Sequence, residues 1–326
     1  MPPGVPYVVA GSVAYYRALA RAKYLINNVN FPDHLVKRRG SVHLQTHHGA
    51  PVKVMGIEQA RYPGGGSTNF AAMLRRCDRW DFSVSSNALS TEAWERQYPC
   101  DYETLEYGYP RNDRLVAAGD DDVAKARAAV GAGPDDLVVL YAPTHRSHDP
   151  AYQPPFDAAR LAEALGPPGL LLVRSHYFDE TAHAAGAGSA RVRDVSGQPC
   201  VEDLYLAADV LVTDYSSAMF DYATLDRPLV IYAPDWSAYV ANRGVTFDLL
   251  ASPPGAVATT QDDLLAVLSS GSYADAPATA ARAAFRARFC AWDDGHAAER
   301  VVRRVFLGEP VPGRRVTNET RALTQG

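Results

Sequence analysis

Between residues 137 and 232 the chain alternates short, almost wholly apolar runs with amphipathic stretches, and few folds accept that pattern. The runs are Leu137–Tyr141, Leu170–Arg174, Val210–Thr213 and Leu229–Tyr232, with the more polar Arg191–Val195 read as a further strand between them. They are too short for helices and lack the apolar–polar alternation of a half-exposed sheet. They predict parallel strands covered on both faces, with helices at Asp157–Leu165, Val201–Ala208, Ser217–Leu225 and Asp262–Ser269 as the covers. The first half repeats the alternation less cleanly. Strands are expected at Val5–Ala10, Tyr24–Ile26, Val42–Thr46, Phe82–Ser85 and Thr104–Tyr107, and helices at Ser12–Lys23, Asn69–Arg76 and Thr91–Gln97. A helix over Asp120–Val130 opens the second unit. The reading is an α/β chain of two lobes, 1–118 and 119–326, the second carrying the C-terminal helices.

The length of 326 residues suits two such lobes. With 32 Lys and Arg against 37 Asp and Glu, the net charge is −5, which argues against a broad nucleic-acid-binding surface. No apolar run approaches the ~18–20 residues of a membrane span. Met1-Pro2-Pro3-Gly4 lacks the basic start and apolar core of a signal peptide. Cys77, Cys100, Cys200 and Cys290 are scattered, without a CxxC pair, which fits a reducing cytoplasm.

Doubly wound sheets bind ligands beyond the carboxyl ends of their strands. There the sequence sets Ala142-Pro143-Thr144-His145-Arg146, then Arg174-Ser175-His176-Tyr177, then Thr213-Asp214-Tyr215-Ser216-Ser217 opening a helix. Each cluster has a plain structural reading as cap, turn or surface ion pair. Together, hydroxyls, two arginines and a histidine at neighbouring strand ends point to a phosphate or pyrophosphate, with Ser216 and Ser217 at a helix start adding N–H donors. In the first lobe Val42–Thr46 runs into His47-His48-Gly49, with His43 nearby. No carboxylate stands at metal-site spacing, so a histidine acting as general base is the better reading than a metal ligand.

These residues resemble the CDP-glycerol glycerophosphotransferase family of teichoic acid and capsule synthesis. The resemblance rests on an ordered set running from about Tyr15 to Val302: Tyr24-Leu25-Ile26-Asn27-Asn28, Gln45-Thr46-His47-His48-Gly49-Ala50-Pro51-Val52-Lys53, Gly108-Tyr109-Pro110-Arg111-Asn112-Asp113, the three second-lobe clusters continued through Asp221-Tyr222-Ala223, Asp203-Leu204-Tyr205, and Asp294-Gly295-His296 onward. It implies a GT-B fold, two Rossmann-like lobes facing across a cleft. It implies CDP-glycerol, or a related CDP-alditol, on the second lobe, and attack by the terminal hydroxyl of a lipid- or polysaccharide-linked acceptor with release of CMP. It implies no cofactor and no tightly bound metal. His48 matches the family's proposed base, and His176 matches its proposed donor-phosphate ligand. The expected donor contacts are Gly49, Thr144, Arg146, Arg174, Asp214, Ser216, Ser217 and Asp221. The chain departs from the family pattern at Ala50 and Val52, which stand where Thr and Leu are usual, and at His47 and His145, where Trp is usual.

Two other readings stay open on sequence. One is a GT-B nucleotide-sugar glycosyltransferase, with Asp221 or Asp235 on the donor ribose; the other is an inactive partner subunit, against which the retention of His48 and His176 speaks. The basic clusters Lys37-Arg38-Arg39 and Arg75-Arg76 suit an anionic lipid surface on the inner face of the membrane or a polyphosphate acceptor, though a solvated surface is the plainer account. The first lobe is expected to be incomplete, with fewer parallel strands than the second. Its uncovered surface would then call for another chain or domain, a second copy included, or for coding sequence upstream of Met1.

Overall fold

The computed structural model describes residues 4–66, 68–144, 156–175 and 189–311. It holds two parallel sheets. The first is β1 (Tyr24–Asn27), β2 (Val42–Gln45), β3 (Phe82–Ser85) and β4 (Glu103–Glu106), in that spatial order. The second contains β5 (Leu137–Ala142), β6 (Gly169–Val173), β7 (Val192–Asp194), β8 (Val210–Thr213), β9 (Leu229–Tyr232) and β10 (Ala256–Ala258), ordered β10-β9-β8-β5-β6-β7.

The second sheet is doubly wound because its strands are apolar on both faces. Val138, Leu140, Leu170, Leu172, Leu211, Leu229 and Ile231 belong to one core. Their neighbours Val139, Tyr141, Leu171, Val173, Val210, Val212, Val230 and Tyr232 belong to a second. Successive strand residues point to opposite faces, so each strand feeds both cores in turn. Helices Val201–Ala207, Ala218–Ala223 and Ala276–Phe289 supply residues to the first core, and Ala158–Leu165 and Gln261–Ser270 to the second. The chain winds outward from β5 to β7 and then returns to β8, which pairs with the other edge of β5. The order reverses between β5 and β8, the switch point at which such sheets bind ligands.

The first sheet has four strands to the second sheet's six among the described residues, the expected inequality. Val5–Ala10 is not a strand. Val5, Tyr7, Val8 and Val9 are 44–69% exposed, an apolar run with no sheet edge joined to it. The helix Val13–Arg21 that follows is capped by Ser12, whose Oγ accepts from the Tyr15 N–H, but buries none of its residues. β1 is thus an edge strand, and Ile26 on it is 50% exposed.

Residues 297–306 do not stay with the second lobe. Helix Ala297–Val301 and the turn Val302–Phe306 return to the first sheet, where Val301 and Val305 share a core with Leu44, Val84, Leu105 and Tyr107. The Asp113 carboxylate caps that helix at Ala297 N, 2.9 Å, and Arg304 pairs with Glu103 at 2.5 Å. A boundary near 118 therefore separates the sheets, while residues 297–306 pack with the first. Sequence patterning had no means of showing this, because the contacts span nearly 200 positions or more.

Candidate active site

β2 ends in a backbone reversal. His47 has φ 52°, a left-handed value rare outside glycine, and it turns two adjacent histidines to opposite environments. His47 is buried. Its ring stacks on Trp94 at 4.1 Å, and its Nε2 lies 2.9 Å from the Ser83 hydroxyl. Burial, then the neighbouring His48, lowers its pKa to about 3, so it is a neutral packing group. His43 is likewise buried, edge-on to Phe31, with its pKa lowered to about 4 by burial foremost. Among the described residues no cluster of His, Cys, Asp and Glu could hold a metal ion.

His48 is exposed, and its Nδ1 is 3.0 Å from the Asn28 carbonyl oxygen. A carbonyl only accepts, so Nδ1 carries the proton and donates. This tautomer leaves the Nε2 lone pair free for a substrate proton. The His48 carbonyl in turn accepts from Arg111 Nη1 at 2.7 Å, and Arg111 Nη2 contacts Asp221 Oδ2 at 2.5 Å across the seam between the lobes. Tyr109, in the same loop as Arg111, donates its hydroxyl to the Gly49 carbonyl at 3.3 Å.

Gly49 is a tight point of the seam. A β-carbon there would lie 2.2 Å from Ser217 Oγ, and its φ of 150° disfavours any side chain. Only glycine lets the His48-bearing turn of one lobe touch the helix start of the other. Beyond it, Val52 and Val54 pair with Thr246 and Gly244 of the second lobe through backbone hydrogen bonds of 2.9 and 3.1 Å.

On the second lobe the ends of β5, β6 and β8 are parallel and adjacent, as the sequence required of a shared site: Tyr141 is in register with Val173, and Ala142 with Thr213. Ser216 and Ser217 are partly exposed at the start of helix Ala218–Ala223, and the Ser216 hydroxyl accepts from the Ala218 N–H at 3.2 Å. Arg174 is partly exposed, and its Nη1 donates to the Gln198 carbonyl at 2.9 Å. Thr144 and Asp214 are tied to each other: the Thr144 N–H and hydroxyl donate to Asp214 Oδ1 at 2.8 and 2.6 Å, bracing the β5 and β8 ends. Asp221 is buried and bound to Arg111, and Asp235 accepts from the Tyr215 hydroxyl at 2.8 Å, so both carboxylates face protein groups. Arg146 and His176, with His145, lie outside the described residues.

Arg111 and Asp293 carry no role in the sequence reading. Asp293 is half of a junction in which its Oδ1 accepts from Tyr109 N at 3.1 Å and Asn112 Nδ2 at 3.2 Å. Burial raises its pKa to about 7 against those hydrogen bonds. The only signal for Arg111 was its place in the Gly108–Asp113 motif, since its carboxylate partner is 110 positions away.

A family model described as CDP-glycerol:poly(glycerophosphate) glycerophosphotransferase matches residues 1–307. The chain is 30% identical over 318 residues to a teichoic acid poly(glycerol phosphate) polymerase of Bacillus subtilis (strain 168), covering 94% of this chain but 42% of that protein. It is 33% identical over 315 residues to a teichoic acid glycerol-phosphate transferase of Staphylococcus aureus (strain NCTC 8325 / PS 47), covering 93% of this chain and 80% of that one. The solved structure of the wall teichoic acid polymerase TagF superposes with a TM-score of 0.79 at 30% identity, over 90% of this chain and 74% of that chain. TagF has also been solved after a CDPG soak.

Proposed function

The chain belongs to the CDP-glycerol:poly(glycerophosphate) glycerophosphotransferase family, and we propose on that premise that it transfers glycerol phosphate from CDP-glycerol to the terminal hydroxyl of a teichoic acid acceptor. The observation that carries this reading is the contact of Gly49 with Ser217: it sets the turn that bears His48 against the helix start that follows β8, a switch-point strand of a doubly wound sheet. His48 Nε2 takes the proton of the acceptor hydroxyl as its oxygen bonds to the β-phosphorus. The bond between that phosphorus and the bridging oxygen breaks, and CMP leaves with the bridging oxygen. Charge building on the pyrophosphate meets the N–H groups and hydroxyls of Ser216 and Ser217, together with Arg174, Arg146 and His176.

Asp221 serves this chemistry through Arg111 and not by touching the donor. Asp214 holds the Thr144 turn. The test is mass analysis of products from CDP-glycerol and a glycerol-phosphate-terminated acceptor. His48→Ala should lower kcat by about 10²- to 10⁴-fold while donor Kd stays within a few-fold. Near-normal kcat in that variant removes His48 as the base, and turnover of a nucleotide sugar in place of CDP-glycerol removes the reaction.

The acceptor's setting follows from a second feature. No helix among the described residues is long and apolar enough to cross a membrane. Val5, Tyr7, Val8, Val9, Val13 and Tyr16 are exposed, with Arg17, Arg21, Arg38 and Arg39 exposed in the same N-terminal region. Apolar and aromatic groups beside arginines match an anionic membrane surface. Binding to phosphatidylglycerol vesicles that weakens with salt and with Arg38→Gln/Arg39→Gln supports this location; equal binding to neutral vesicles counts against it.

A further inference from the structure

Lys53 stands five positions after His48, on the segment that crosses to the second lobe. Its backbone bridges Val245, flanked by the bonds from Thr246 N to Val52 O and from Val54 N to Gly244 O. This fixes it beside Arg243, the last residue of helix Trp236–Arg243. Both side chains are only partly exposed. Arg243 donates to the Gly64 carbonyl at 3.2 Å, and neither cation has a carboxylate partner among the described residues. Burial, then the Arg243 charge, pushes the Lys53 amine below the ordinary lysine value.

Two neighbouring cations withdrawn from water without a counterion are unfavourable unless an anion joins them. The helix dipole accounts for an arginine at position 243 but not for the lysine opposite it. Lys53 is reached from the His48–Gly49 turn along at most about 17 Å of chain. It meets a stretch of the second lobe distinct from the ends of β5, β6 and β8.

We propose that Lys53 and Arg243 form a phosphate subsite for the acceptor, holding a phosphodiester of the growing chain so that its terminal hydroxyl reaches His48. The subsite rests on the glycerol-phosphate transfer read above. A polymer of phosphodiesters is the one substrate that brings a second anion into the seam after the donor pyrophosphate has taken its own site. Lysine and arginine suit it as a point charge and a planar fork on a single phosphate.

The test is calorimetric titration of a synthetic glycerol phosphate trimer into the full chain saturated with CDP, which fills the donor site and supplies no glycerol phosphate. The wild-type chain should bind the trimer. Lys53→Met and Arg243→Met should each weaken that binding about 10- to 100-fold. Lys53→Arg should keep most of it, and CDP affinity should not change in any variant. In turnover the loss should fall on acceptor KM. Trimer binding to Lys53→Met as tight as to wild type overturns the subsite, as does absence of binding to wild type or an equal loss of CDP affinity. Because binding is read without turnover, failure of the reaction assigned to His48 shows separately, as normal kcat in His48→Ala.

Discussion

Arg111 and Asp221 join the two lobes: a guanidinium from the loop after β4 meets a carboxylate on a helix of the second sheet at 2.5 Å, while its other amine donates to the carbonyl of His48. The Asp221 side chain is 7% exposed and that of Arg111 30%. Burial opposes both charges, and for Arg111 the adjacent carboxylate more than offsets it, raising its pKa. Removing the arginine therefore strands a buried anion. Arg111→Met should cost roughly 3 kcal/mol in urea unfolding, the low end of the range for breaking a buried pair, because Arg111 retains some contact with water. Arg111→Met/Asp221→Asn should recover part of that loss. If the single and double variants are equally unstable, the pair is not coupled.

Gly49→Ala should damage activity more than almost any other single methyl group added to the chain. The new carbon falls 2.2 Å from Ser217 Oγ and 2.6 Å from its Cβ, at a φ that side chains avoid. The lobes must separate locally or the turn must shift, and His48 moves with it. With His48 as the proposed base, expected are a lower Tm and a fall in kcat of at least 10-fold, since small misplacements of such a group are costly. Ser217→Gly added to Gly49→Ala should restore Tm in part, by clearing the clash but not the backbone strain. Unchanged Tm on adding it would mean that Ser217 is not what the alanine strikes.

Asp293 links stability to pH. Its folded pKa is about 7, raised above the usual carboxylate value chiefly by burial. Between about pH 4 and 7 the folded state therefore holds a proton that the unfolded state has lost, and stability falls as pH rises through that window. Asn in its place keeps the acceptor for Tyr109 N and carries no charge. The urea midpoint of Asp293→Asn, less that of wild type, should rise between pH 5 and 7.5, since the opposite slopes of His47 and His43 are common to both. A difference that stays flat across that window would contradict the raised pKa.

His47 acts in the opposite sense on the acid side. With a folded pKa near 3, set first by burial, it stays neutral while the unfolded chain protonates below about 6.5. Its contribution is complete above pH 6.5 and is lost as the pH falls toward 3. His47→Phe keeps a ring against Trp94 and removes the titration, at a pH-independent cost of about 1–3 kcal/mol for the buried Ser83 hydroxyl left without its partner. The variant's midpoint should fall less steeply than wild type between pH 6 and 4. A residual slope is expected from His43, whose pKa near 4 has the same sign.

The second sheet was legible in the sequence because β5, β6, β8 and β9 bury both faces and so read as unbroken apolar runs. β10 escaped notice: Ala-Val-Ala is too short and small to stand out. In the first lobe, Val5–Ala10 had the composition of a strand but does not join the edge that β1 offers, and composition alone does not show which edges are paired. Of the two adjacent histidines, the motif singled out His48. What separates their environments is the positive φ at His47, and a backbone dihedral of that kind on a non-glycine residue leaves no mark in sequence. Asp221 was read as a donor ligand because it lies in the family motif that continues from the serines. Its engagement with Arg111 depends on how the lobes meet, which local patterning does not encode.

The return of residues 297–306 to the first sheet has a consequence for the order of assembly. Val301 and Val305 complete the core around Leu44, Val84 and Leu105, yet they leave the ribosome after every strand of the second sheet. During synthesis the second sheet can close while the first still lacks one wall, so the lobe made first is finished last. A nascent chain halted before Ala297 would hold a protease-resistant second lobe beside a first lobe still open to cleavage.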